Sequence, residues 1–456
     1  MDDNISRFKD KKSIIERCIN SSYQIKNNLN NSVSLKRKIV KLKDYLKFNL
    51  VSLNKKFIPH NSPIHFLYKT YNPKDPSFLK DYSKQINKLL LITYRSNYKK
   101  QINIKNKSSY TTDCGWGCTI RSSQMIFARL LYKIFKYLFK GKFSSDIIVK
   151  SVIPFFLDNN ISLKDITIKN SDCFNIAINN YILQLNKYLD EKIKENTKKR
   201  VNIESIDPPF SIHKICTIGE IFGRTCGEWY SDFEVPKIYE IINSTFNIIP
   251  NLSIIHFSSE IYMKEIIEKC FYIRKNDEEI SLNEDNNDFF LNEKKEKCFF
   301  KKMGAIFVSV RLGVKSIPSE YYLSIKKLFN CKEFLGFIGG GKVNQASYFF
   351  GYCDNDLLYL DPHYNQNSIH DLNEKNLMTY INKNIYKLPI KSLQCGFTIG
   401  FLFRNLHEFT DLYIFLKYFS IDKLPCFHVL FGNEKNENNL SQEEIKQYIN
   451  NEEEDF

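Results

Sequence analysis

A chain of 456 residues that is 43% hydrophobic can bury one large core or two domains without an external staple. Its 12 cysteines lack paired spacing, no apolar run approaches a membrane span, and no signal-peptide pattern opens the sequence. These features exclude a disulfide scaffold and point to free thiols in a cytoplasmic setting. The net charge of +15 is unevenly placed: residues 1–60 hold 14 Lys or Arg against 5 Asp or Glu, whereas 431–456 hold 2 Lys against 8 acids. Such a surface suits acidic proteins or a transient contact with anionic lipid, and no nucleic-acid motif accompanies it.

In chain order, residues 1–61 read as a basic arm. Disorder is expected over 1–31, then an amphipathic helix near 33–53 with Leu35, Ile39, Leu42, Leu46 and Leu50 on one face. Next comes Asp113-Cys114-Gly115-Trp116-Gly117-Cys118, which runs into a helix expected over 119–140. Phe127, Leu130, Leu131, Ile134, Phe135 and Leu138 recur there at helical spacing, and Gly141 stops it. Cys118 thus sits at a helix N-terminus, where unsatisfied N–H groups favour a thiolate over a thiol. The competing reading is a buried cysteine beside a core tryptophan.

Residues 274–297 are rich in Asp, Glu, Asn and Lys and read as a polar surface loop inserted into apolar sequence. A buried strand is expected over 306–312, a helix over 320–329, and strands over 334–338, 347–353, 357–360 and 397–403. Helix first and antiparallel strands later is an α+β pattern. The residues beyond 431 form an acidic tail. No Cys/His grouping has the double short spacing of a zinc site, so neither metal nor cofactor is expected.

Directly after the strand at 357–360 stands Asp361-Pro362-His363. In extended chain, residues two apart project to one side, so Asp361 and His363 can share a cleft. With Cys118 they would make a nucleophile, a general base and an orienting carboxylate. Among the other histidines, His213 and His256 lie in apolar stretches and read as structural. His60, His65, His370, His407 and His428 lack an acid at a useful strand spacing.

The stretch Thr112-Asp113-Cys114-Gly115-Trp116-Gly117-Cys118-Thr119-Ile120-Arg121 resembles the nucleophile motif of the autophagy-related cysteine endopeptidases. These are papain-like peptidases that process a ubiquitin-like autophagy modifier. Tyr359-Leu360-Asp361-Pro362-His363 is similar to the family's Asp-Pro-His motif. Thr93-Tyr94-Arg95, Phe210-Ser211-Ile212-His213, Gly227-Glu228-Trp229-Tyr230, Val310-Arg311-Leu312-Gly313 and Gly340-Gly341-Lys342 occur in the family's order. The likeness covers roughly residues 62–420, inside an expected peptidase domain of 62–430.

The resemblance implies an α+β, papain-like fold with a small auxiliary lobe. It also implies Cys118 as nucleophile, His363 as general base and acid, Asp361 as orienting carboxylate and Tyr94 as an oxyanion donor. Trp229 and the loop of Gly339, Gly340, Gly341 and Lys342 would border the substrate cleft, and the enzyme would act as a monomer. The implied substrates are the modifier's precursor and its phosphatidylethanolamine-conjugated form, both cut after a C-terminal glycine. The alternatives are a deubiquitinase-like isopeptidase and a catalytically silent binder of a ubiquitin-like protein. Two departures stand out. The position four residues after the nucleophile, often cysteine in the family, is Ser122, which leaves Cys114 as the candidate redox partner. Phe427-His428-Val429-Leu430 has the aromatic-x-x-aliphatic form of a modifier-binding motif, against the simpler reading of an edge strand.

Overall fold

The protein is described from a computed structural model that covers residues 56–99, 102, 109–159, 161–162, 205–206, 208–274, 288–291, 296–340, 345–369, 373–381 and 383–431. The expected helix near 33–53 and the acidic tail from 432 onward lie outside the described residues. The described residues all belong to one compact unit, Asn54–Phe456.

Nine strands form its main sheet: β1 (Ile64–Phe66), β2 (Lys69–Tyr71), β3 (Leu252–Ser258), β4 (Met303–Arg311), β5 (Phe334–Gly339), β6 (Ser347–Cys353), β7 (Asp356–Leu360), β8 (Tyr386–Pro389) and β9 (Gly396–Phe403). The order across the sheet is β8-β7-β6-β5-β9-β4-β3. β1 lies against the C-terminal half of β6 and carries β2 on its other side. All pairings are antiparallel except β4 with β3. β4 is buried from Met303 to Val310, as expected for a central strand whose two faces are both covered.

The helices of the described residues include α1 (Cys118–Leu138), α2 (Ile212–Gly219), α3 (Glu234–Phe246) and α4 (Leu406–Ser420). α1 packs on β5 and β6. Gly400 on β9 makes room for it, since a Cβ there would sit 2.8 Å from Cδ1 of Ile126. On the far side of α1, Phe127 stacks on Tyr239 of α3 at 4.2 Å and meets Phe210 edge-on at 4.6 Å. Every α1 residue from Cys118 to Tyr132 is consequently buried, polar ones included.

Two expectations change. Phe57, placed in the arm by the sequence, is buried in this body, and its N–H donates to Ile385 O at 2.8 Å. The stretch read as a loop insertion holds strands: Glu296–Phe300 pairs antiparallel with Phe271–Arg274 and with Asp288–Leu291. The charged residues that suggested a loop flank short apolar runs, Phe289-Phe290-Leu291 and Cys298-Phe299-Phe300, and those runs supply strand propensity. Phe427-His428-Val429-Leu430 is already engaged, with His428–Leu430 paired in parallel to Glu260–Tyr262.

Candidate active site

The nucleophile candidate is delivered by a turn that only glycine permits. Asp113 O accepts from Trp116 N at 3.2 Å and from Gly117 N at 2.9 Å, and Gly115 takes a φ of +96°. At Gly117 a Cβ would fall 2.5 Å from Oδ2 of Asp113. Cys118 follows as the first residue of α1.

Beneath it lies a charged network with no exposure to solvent. Asp113 accepts from Arg95 N at 2.6 Å, Tyr98 Oη at 2.7 Å and Arg121 Nε at 2.6 Å. The remaining guanidinium nitrogens of Arg121 reach Asp158 at 2.9 and 3.0 Å, Gln124 at 3.1 Å and Tyr98 at 3.0 Å. Sequence reasoning assigned no role to Asp113, Arg121 or Asp158. The signal available was an Asp and an Arg eight residues apart on either side of the helix start.

The second half of the site is tied to the first through residues 94–96. Tyr94 N donates to Pro362 O at 2.9 Å and Gln366 N to Tyr94 O at 3.0 Å, while Asp113 N donates to Arg95 O at 3.2 Å. Arg95–Ser96 pairs in parallel with Gln366–Asn367. One short segment therefore fixes the cysteine turn against the histidine loop.

Within that loop, Oδ1 of Asp361 accepts from His363 N at 3.0 Å and from its Nδ1 at 2.5 Å. Asp361 and His363 do come together, but through a turn in which the aspartate binds the backbone two residues on, rather than through strand alternation. Both are buried. Burial opposes charge on His363, yet Asp361 and Cys118 outweigh it and push its pKa up to about 10. Burial likewise pushes the Cys118 thiol up. His363, the Ala346 backbone and the Tyr94 hydroxyl reverse this and bring the thiol below its ordinary value. Hydrogen bonding between the His363 ring and the Cys118 sulfur contributes more to both shifts than their charge attraction does.

Tyr94 is buried with its ring edge-on to His363 at 5.5 Å and its hydroxyl on the Cys118 sulfur. Trp229 is 38% exposed and lines a cleft of about 520 Å³ with Gly339, Gly340, Ala346 and Thr119, the residue after Cys118. Gly341 and Lys342 lie outside the described residues. Cys114 is half-buried, and its N–H donates to Thr112 Oγ1. His213 is buried against the Tyr98 ring, and Nε2 of His256 meets Ser309 Oγ at 3.0 Å. A larger cleft of about 740 Å³ is lined by Lys133, Arg404 and Glu408 and holds no cysteine.

A thiol on a helix N-terminus, facing an imidazole that a carboxylate holds, is the constellation of a cysteine peptidase. Residues 79–414 match the Peptidase C54 catalytic domain, and the chain belongs to that family. It is a cysteine endopeptidase with an α+β fold. It is similar to the cysteine protease ATG4C of Xenopus laevis, 27% identical over 405 residues that cover 82% of this chain and 83% of that protein. ATG4C of Homo sapiens is 25% identical over 458 residues, covering 88% and 90%. ATG4 of Candida albicans is 26% identical over 326 residues, covering 70% and 54%. Among the described residues no helix is long and apolar enough to cross a membrane.

Proposed function

We propose that this chain cleaves after the C-terminal glycine of a ubiquitin-like autophagy modifier, both to mature its precursor and to release it from phosphatidylethanolamine. One observation carries the reading: the Cys118 thiol faces an imidazole whose Nδ1 is held by Asp361 at 2.5 Å. Family membership and the relatives named as ATG4 cysteine proteases supply the substrate class.

In this mechanism the Cys118 thiolate attacks the glycyl carbonyl. The Tyr94 hydroxyl, which donates to the sulfur in the free enzyme, turns to the developing oxyanion, joined by the Cys118 backbone N–H at the helix start. His363 gives its proton to the departing amine, leaving a glycyl thioester. It then takes a proton from the water that hydrolyses the thioester. A peptide amine and the amine of phosphatidylethanolamine leave by the same route, so one site serves both reactions. Trp229 opposite Gly339 and Gly340 narrows the approach and favours an acyl residue without a side chain. The enzyme works as a cytoplasmic monomer, with residues 1–53 as a basic arm that meets the membrane carrying the conjugate, and residues beyond 431 as an acidic tail.

The test is cleavage of a ubiquitin-like autophagy modifier bearing a reporter beyond its terminal glycine, with ubiquitin as control and Cys118→Ser as blank. Cleavage of the modifier alone, lost in the variant, supports the reading. Cleavage of ubiquitin instead, or binding of the modifier without turnover, overturns it.

A further inference from the structure

Metal ligands need not be close in sequence, and the fold assembles a set that spacing conceals. His60 stands on the segment that enters β1, whereas Cys353 and Asp354 form the end of β6 and the start of its turn into β7. Although 293 residues separate them, Nε2 of His60 lies 3.6 Å from Sγ of Cys353, and it lies 3.9 Å from Oδ2 of Asp354. One ligand atom from each residue falls within 4.8 Å of the others.

We infer that His60, Cys353 and Asp354 bind a divalent cation of the zinc class, with water completing the coordination. Zn–S near 2.3 Å and Zn–N or Zn–O near 2.0–2.2 Å give a tetrahedron with edges of roughly 3.3–3.7 Å. The sulfur–nitrogen separation already has that length, and the other edges close by small rotations of exposed side chains. A thiolate with an imidazole and one carboxylate is a borderline-soft set, suited to zinc rather than to magnesium or calcium.

The ligands differ in mobility in a useful way. Cys353 is 1% exposed and fixed by register, opposite Ile64 on one side and Asp356 on the other. Asp354 holds a left-handed φ of +52° that starts the hairpin turn. His60 is the adjustable member. Its Nδ1 accepts an exposed bond of 3.3 Å from Ser62 N, which gives way when Nδ1 carries the proton and Nε2 takes the metal. The cations beside the turn are occupied: Lys326 Nζ donates to Asn355 Oδ1 at 2.8 Å and Lys387 Nζ to Asp356 Oδ2 at 2.6 Å.

On binding, the Cys353 S–H bond breaks heterolytically, its proton goes to solvent, and metal–sulfur, metal–nitrogen and metal–oxygen bonds form with no change of oxidation state. None of the three residues lines the cleft beside Cys118. The ion would act as a staple, joining the segment at 56–62 to the β6–β7 turn.

Titration of the full-length Cys118→Ser chain with Co²⁺ tests this, because that background removes the active-site thiol as a competing ligand. The expected result is a near-ultraviolet thiolate-to-cobalt band saturating at one equivalent and displaced by one equivalent of Zn²⁺. Adding Cys353→Ser removes the band, and His60→Gln, an exposed change that spares the core, weakens binding roughly tenfold or more. Zn²⁺ also raises Tm in the Cys118→Ser chain and not when Cys353→Ser is added. No saturable band, a band that survives Cys353→Ser, or an affinity untouched by His60→Gln overturns the assignment.

Discussion

The Cys118 sulfur and the His363 ring set each other's charge. Burial alone would keep Cys118 a thiol, so its lowered pKa depends first on His363. Alkylation of Cys118 by iodoacetamide is therefore expected to titrate below 9.0 in the wild type and above 9.0 in His363→Ala. An unchanged midpoint would break the pairing. Stability follows the same signs. The folded pKa of His363, near 10 against an ordinary 6.5, makes its contribution full below 6.5 and lost as pH rises through about 10. Cys118 runs the other way: its contribution is present above 9.0 and lost as pH falls through its lowered folded value. Within this pair, above 9.0 only the His363 proton still distinguishes folded from unfolded wild type. There the unfolded chain holds neither proton while the folded chain keeps one, on His363 in the wild type and on the Cys118 thiol in His363→Ala. Both are thus expected to lose stability in urea unfolding as pH climbs from 9.0 toward about 10. Tyr94→Phe tests the oxyanion role separately. Loss of one such donor lowers kcat by about 10²–10³, with KM unchanged, whereas a merely structural tyrosine would leave kcat near wild type in a folded variant. The residues Cys118, Asp361 and His363 were legible because each occurs beside a local signal: a glycine-flanked helix start, or an Asp-Pro-His at a strand end. The way Asp361 reaches His363, by capturing its backbone N–H, was not, since an alternating strand and a turn use the same two positions.

At the scale of elements, the start of α1 is held by charge rather than by a capping side chain, since Gly117 precedes it and offers none. Arg121 is fully buried and saturates Asp113 and Asp158 together. Removing one partner of such a pair leaves an uncompensated buried carboxylate, at a cost of about 3–5 kcal/mol. Arg121→Met is expected to lose that much in urea unfolding. Arg121→Lys should not restore it, because a single ammonium cannot span two carboxylates in fork geometry. A loss under about 1 kcal/mol would mean that the network behaves like a surface pair. The boundaries of α1, β4, β5, β6, β7 and β9 were visible from periodicity within a few residues, because each element has a strong apolar signature of its own. The network was invisible for the opposite reason: Arg121 and Asp158 are 37 residues apart, and polar residues in a helix ordinarily face solvent. The strands at Phe271–Arg274 and Glu296–Phe300 were missed because the intervening charges dominate composition, while pairing depends on the short apolar runs at the ends.

Across the molecule, Cys118 and His363 come from opposite ends of one construction. α1 is pinned on β5 and β6, β7 carries the histidine loop, and residues 94–96 lock the two together. All of these groups lie in the unit Asn54–Phe456. Chemistry and membrane contact are therefore expected to separate on truncation. A chain lacking residues 1–53 should cleave a soluble modifier–reporter fusion with unchanged kcat/KM, because cleft, nucleophile and base are all retained. The same truncation removes most of the 14 basic residues counted over 1–60. Each basic residue near an anionic surface contributes roughly 1 kcal/mol, within a range set by the Debye length. Cosedimentation with phosphatidylserine-containing vesicles should accordingly fall, and the binding that remains should depend less steeply on salt. Release of the modifier from phosphatidylethanolamine on those vesicles should slow in parallel, since that substrate must be met at the surface. A rise in kcat/KM toward the soluble fusion would instead mark residues 1–53 as a segment that obstructs the cleft. Unaltered vesicle binding would move the membrane contact to the basic surface of the peptidase domain itself.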